Sequence, residues 1–151
     1  MEPLVFEAST EVSCPAETLF RWHEEPQAFQ RLMPPGEPVR VLRHDGHVRD
    51  GAQAVLLVGF WPVRFRWELE HRDYLPGRRF CDVQLTGPFT TYRHEHLMEP
   101  RGEKACLLTD RITYRLPGGW LGRWLGGGIA HRKFTRLFAF RHRVTREAFA
   151  S

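Results

Sequence analysis

Leu4, Phe6, Ala8, Thr10 and Val12 alternate with Glu7, Ser9, Glu11 and Ser13. A period of two belongs to a strand with one buried and one wet face, so the chain is expected to open on a half-buried strand. Pro15 can then occupy the first position of a helix, with Glu17 in the turn where a negative charge is favoured. Leu19, Phe20, Trp22 and His23 fill that short helix, and Pro26 stops it. Gln27 to Met33 reads as a second short helix, stopped by Pro34-Pro35-Gly36.

Six further strands follow in the pattern. They are Val39–Arg43, Ala52–Gly59, Val63–Arg72, Arg79–Leu85, Thr90–Met98 and Ala105–Arg115. Turn residues separate them: Asp45-Gly46, Trp61-Pro62, Pro76-Gly77, Gly87-Pro88 and Pro100-Arg101-Gly102. The close spacing predicts an antiparallel meander. The clearest strand places Val63, Phe65, Trp67 and Leu69 on one side and Arg64, Arg66, Glu68 and Glu70 on the other.

The last segment has helical periodicity. From Ile129 onward one side collects Ala130, Phe134, Leu137, Phe138, Val144 and Ala148, and the other Arg132, Arg136, Arg143, Arg146 and Glu147. A rod of about five turns needs a large apolar surface to cover, and a curved sheet supplies one. Gly118, Gly119, Gly122 and Gly126 to Gly128 precede it and read as a loop with loosened first turns, or as a mobile gate.

The 151 residues suit one domain, 1–151, large enough for a true core. Cys14, Cys81 and Cys106 are too far apart for a metal motif and odd in number, so free thiols are expected. The net charge of +4 rests on arginines scattered among 18 acidic residues, with no basic arm or aromatic-interleaved platform. Nucleic acid is therefore not an expected partner. No apolar run approaches the ~20 residues of a membrane span, so stable membrane insertion is not expected. Met1 to Phe6 carries Glu2 and no basic region of a secretory signal, which points to the cytoplasm. Exposed edge strands make a homodimer possible.

Strand parity selects candidate chemistry. The inward set is Tyr92, His94, His96 and Met98, then Cys106, Leu108, Asp110, Ile112 and Tyr114, with Asp82 and Gln84 from the strand before. Arg141 sits near the centre of the apolar side of the last helix, and a buried guanidinium needs a carboxylate or an anionic ligand. Arg141, Asp82, Asp110, His94 and His96 are thus expected to form a polar cluster in an apolar surround. Such a cluster can be a self-satisfied network that fixes the helix on the sheet. It can orient an apolar ligand, or it can run acid–base chemistry with His94 or His96 beside Asp82 or Asp110. His94 and His96 with Asp110 also make a two-histidine, one-carboxylate set, but without a further ligand signature no metal and no cofactor is expected. His23, His44, His47 and His131 read as packing or turn residues, and His142 as a possible cap on the cluster.

Several stretches resemble bacterial cyclase/dehydrase-like proteins of the SRPBCC superfamily, which includes the START and birch-pollen-allergen proteins. These are Leu19-Phe20-Arg21-Trp22-His23, Pro26 to Leu32, Pro34-Pro35, Asp82 to Phe89, His94-Glu95-His96, Asp110 to Tyr114 with Leu116-Pro117, and Phe140-Arg141-His142. The resemblance implies an α+β helix-grip fold, in which a curved antiparallel sheet of about seven strands wraps a long C-terminal helix. It also implies a cavity between sheet and helix for a small hydrophobic molecule such as a lipid, polyketide or aromatic metabolite. Arg141, Tyr92 and Gln84 are the polar residues expected to meet that ligand. Trp67, Phe65, Tyr114, Phe134 and Phe138 are the expected walls, with Phe60 and Trp61 near them. The resemblance fixes no chemistry, so a cyclase- or dehydratase-like enzyme and a protein-interaction module remain alternatives.

Overall fold

The computed structural model describes residues 1–60 and 62–151. Trp61, expected near the ligand, lies outside the described residues. β1 (Leu4–Val12) leads through Pro15 into α1 (Ala16–Glu24) and the single turn α2 (Ala28–Arg31). Then come β2 (Val39–His44), β3 (Gln53–Val58), β4 (Phe65–Leu75), β5 (Arg79–Thr86), β6 (Thr91–Pro100), β7 (Cys106–Arg115) and α3 (Gly119–Ala148). The seven strands form one curved antiparallel sheet in the order β1-β7-β6-β5-β4-β3-β2. Strand β1 thus closes against β7, while β2 to β7 meander as the turn residues predict. Asp73, with a positive φ of 55°, sits where the β4–β5 register shifts, a bulge that bends β4.

The inner face of the sheet is layered. At one end α1 buries Leu19 and Phe20 against Phe80, Met98 and Leu108. At the other, α3 packs Phe134 and Phe138 against Phe6, Tyr92, Ile112 and Tyr114. Strand periodicity places polar residues between these layers. Along β6 the inward order is Tyr92, His94, His96, Met98, and all four are buried. Cys14, Cys81 and Cys106 are buried free thiols.

The structure corrects the reading of the glycine-rich segment as a loop: α3 begins at Gly119 and runs through every glycine from there to Gly128. Gly118 enters it with φ 86°, and a side chain on Gly122 would collide with the Pro117 carbonyl. The segment is helical yet shallowly seated. From Gly119 to Lys133 no side chain of α3 is buried; the buried ones are Phe134, Phe138, His142 and Thr145. Among the described residues, no helix is long and apolar enough to cross a membrane.

Candidate functional site

Register assembles the polar layer. His71 of β4 stands opposite Asp82 of β5, Asp82 opposite His94 of β6, and His96 opposite Asp110 of β7. Inward positions on four neighbouring strands thus bring two carboxylates and three imidazoles together, and α3 adds His142. His71 Nδ1 lies 2.6 Å from Asp82 Oδ1, and neither atom has another partner among the described residues. His96 bridges the carboxylates, with Nε2 2.9 Å from Asp82 Oδ2 and Nδ1 3.1 Å from Asp110 Oδ1. His94 Nε2 is 2.8 Å from Asp110 Oδ1, and His142 Nε2 is 2.6 Å from Asp110 Oδ2. The contacts of His96 Nε2 with Asp82 and of His94 Nε2 and His142 Nε2 with Asp110 suit an imidazole N–H donating to a carboxylate oxygen; the His71 Nδ1 and His96 Nδ1 contacts are close but are not aligned as hydrogen bonds.

Burial and charge oppose each other here. Burial works against ionised Asp82, but His71 and His96 outweigh it and hold the carboxyl well below its ordinary range. Burial likewise opposes ionised Asp110, and the hydrogen bonds from His142, His94 and His96 prevail. Burial also works against charge on His96, but Asp82 and Asp110 lift it to about 9. For His94, burial and then the neighbouring His96 charge win, and it falls to about 4. His23 of α1 is also pushed down to about 4 by burial, although its Nδ1 meets the Leu19 carbonyl at 2.9 Å. The layer therefore pairs one charged imidazole with a neutral neighbour 3.8 Å away between ring centroids.

The structure brings Asp82, Asp110, His94 and His96 together and leaves Arg141 out. Its Nε donates to the Leu32 carbonyl at 3.1 Å, and its guanidinium lies over the Phe138 ring. The physical reason is reach: a long side chain can start on the apolar side of a helix and carry its charge to the margin. His142 takes the expected place against Asp110, and His71 was missed although the parity of Trp67 and Leu69 extends to it. Phe65 is a second correction. It shares the inward parity of Trp67 but is 48 % exposed at the strand end, beyond the packed layers. Phe60 is likewise exposed, not a wall.

The remaining wall residues do meet. Phe89 stacks on Tyr92 and contacts Trp67, Tyr114 and Phe134. Gln84 Nε2 donates to the Phe89 carbonyl at 2.8 Å, which fixes that wall. The aromatic side chains among these pack with Phe6, Ile112 and Phe138 into one hydrophobic cluster. A recess of about 160 Å³ opens at the start of α3, where Leu4, Tyr114, Leu116, Gly119 and Arg123 meet. An open groove of about 450 Å³ runs along the outside between β1 and α3, past Phe6, His131 and His142. The indole N–H of Trp67 is buried without a hydrogen-bond partner among the described residues.

A curved seven-stranded sheet closed over a C-terminal helix, with two short helices after the first strand, defines a helix-grip protein. Within that class the chain belongs to the family described as polyketide cyclase / dehydrase and lipid transport, whose model matches residues 3–144. Similar solved structures include a nucleoside-diphosphate sugar epimerase from Corynebacterium glutamicum, 25% identical with a TM-score of 0.73. That match covers 94% of this chain but 28% of the epimerase chain. Norcoclaurine synthase from Thalictrum flavum is 14% identical with a TM-score of 0.69, over 99% of this chain and 90% of its own. Zhui aromatase/cyclase from Streptomyces sp. R1128 is 16% identical with a TM-score of 0.67, over 98% and 97%. No curated protein matches the chain by sequence.

Proposed function

We propose that the protein binds one small hydrophobic molecule between the first half of α3 and the aromatic wall of the sheet. The observation that carries this reading is the shallow seating of α3. Its segment from Gly119 to Lys133 buries no side chain, and beneath the helix stand the rings of Phe89, Tyr92 and Tyr114, joined by Phe134 from the helix itself. A helix with few buried apolar contacts and several glycines opens at low cost. Opening enlarges the recess at Leu4 and Leu116 into a site lined by aromatic rings. The orphaned Trp67 N–H supplies a donor for a ligand oxygen, since a few convergent polar groups in an apolar pocket fix a ligand's orientation. A cyclase-like proton transfer is less well supported. The nitrogens of His94 and His96 face Asp82 and Asp110, and Phe80 and Phe138 pack against their rings.

The test is to lock the helix. A Cβ on Gly127 would lie 3.6 Å from Leu4 Cδ1, so Leu4→Cys with Gly127→Cys offers a reducible tie across the opening. The reduced double variant should take up the fluorescent apolar probe N-phenyl-1-naphthylamine one to one. The oxidised form should bind it at least ~10-fold more weakly, or ~1.4 kcal/mol. Equal binding in both forms overturns the opening.

A second reading rests on the other side of the same helix. Trp120, Trp124 and Ile129 are 71 %, 75 % and 70 % exposed, with Leu121 and Leu125 between them. Exposed apolar side chains in this number suit a protein partner or a second copy of the chain. Absence of saturable probe uptake, together with concentration-dependent self-association, would favour it.

A further inference from the structure

The polar layer has a geometry that a self-contained hydrogen-bond network does not require. Asp82 Oδ2 faces two imidazole nitrogens: His96 Nε2 at 2.9 Å and His94 Nδ1 at 3.6 Å. The second separation is too long for a hydrogen bond. Asp82, His94 and His96 each offer a donor atom, all within 4.8 Å of one another. Around a cation with bonds of ~2.0–2.2 Å, neighbouring nitrogen and oxygen ligands stand roughly 3.0–3.5 Å apart.

The next ring of contacts points the same way. A histidine that ligates a metal through one nitrogen almost always gives its other N–H to a carboxylate, a carbonyl or water. Here Asp110 Oδ1 accepts from His94 Nε2 at 2.8 Å, and His96 Nδ1 lies 3.1 Å from the same oxygen. Asp110 Oδ2 is in turn held by His142 Nε2 at 2.6 Å. The spare oxygen of Asp82 lies 2.6 Å from His71 Nδ1. Of the three side chains aimed at the shared space, His94 has its far nitrogen held by a hydrogen bond from outside, and Asp82 and His96 have their far atoms within 3.1 Å of His71 and Asp110.

We propose that Asp82, His94 and His96 form a binding site for one divalent first-row transition cation, with Asp110 and His71 as positioning residues. Asp82, not Asp110, is the carboxylate ligand, because Asp110 meets the two histidines on their far nitrogens. Two imidazoles and a carboxylate suit zinc or iron(II), whereas magnesium and calcium prefer all-oxygen sets. The carboxylates of half-buried Asp82 and buried Asp110 balance the charge of a divalent ion. Entry is from the Asp82 side, whose side chain is 17% exposed against 3% for His94. Three protein ligands leave positions open for water or a ligand oxygen. The site is independent of the proposed uptake beneath α3, and either can fail alone.

The test uses the full chain, stripped with a chelator and dialysed against Zn²⁺ alone. One Zn²⁺ per chain is expected, with a rise in Tm. His94→Gln and Asp82→Asn should weaken binding at least ~100-fold, and Asp110→Asn roughly 10–100-fold through loss of ligand orientation. His47→Gln, in an exposed turn, should bind as the parent does. In case a core variant does not fold, X-ray absorption of the Zn²⁺-loaded parent reads the ligands directly. Two imidazoles with oxygen ligands are expected. No stoichiometric uptake by the parent, full uptake by folded His94→Gln, or any other donor set would overturn the proposal.

Discussion

Asp110→Asn is expected to cost the metal-free protein about 3–5 kcal/mol of stability, the range for removing one partner from a buried ionic cluster. Asp110 receives His94, His96 and His142 on its two oxygens, and it is 4% exposed. The amide that replaces it has one acceptor oxygen and turns two N–H donors toward imidazoles that also need to donate. His96 then keeps its charge with one carboxylate instead of two, or loses it and leaves an acceptor facing Asp82. His142 is the member of the cluster that α3 supplies, so the same change loosens the helix. For a chain of this size the loss corresponds to a fall in Tm of roughly 10 °C or more. Thermal and urea unfolding of the chelator-treated protein measure it. A loss below about 1 kcal/mol would mean that the layer does not hold the helix to the sheet.

Stability of the metal-free chain should also peak near neutral pH and fall on both sides. His96 is raised from 6.5 to about 9 in the fold: burial opposes its charge, and the two carboxylates overcome that. Its contribution is complete below its unfolded value and is lost as pH climbs from about 6.5 to 9. His94 and His23 move the other way, lowered by burial to about 4. Both contribute above about 6.5 and lose that contribution as pH falls from there to about 4. Asp82 and Asp110, held below the ordinary carboxylate range, lose theirs at still lower pH. Shifts of this size correspond to about 3 kcal/mol each, so the acid limb, with two histidines, should be steeper than the alkaline one. Urea midpoints across the range supply the profile. A flat profile between about pH 5 and 9 would contradict the charge assignment.

Parity made most of this site readable before any coordinates. The alternation in β6 and β7 is clean, and a one-residue slip would have turned charged residues inward, so His94, His96 and Asp110 had one possible face. Asp82 was less clear because Cys81, Val83 and Leu85 are also apolar; pairing with His71 and His96 settles it. His71 was missed because the readable alternation of β4 ends at Leu69, although the strand continues to Leu75. Arg141 shows the limit of a helical wheel. The wheel places a Cα and not the end of a long flexible side chain, and the guanidinium reaches the Leu32 carbonyl of the neighbouring segment. The extension of α3 through its glycines was unreadable for a related reason. Glycine lowers helix propensity by about 1 kcal/mol per residue, a local preference that the long helix overrides.

A hydrophobic molecule should occupy the space beneath the first half of α3. Mass spectrometry under gentle ionisation, on protein purified from cell extract without detergent, addresses it most directly. The expected result is a population heavier than the bare chain by one apolar molecule, released on unfolding. That population should be absent when the double variant Leu4→Cys with Gly127→Cys is oxidised, closing its tie, before exposure to the extract. Bare chain throughout, combined with no uptake of added apolar molecules by the untied protein, would contradict the claim.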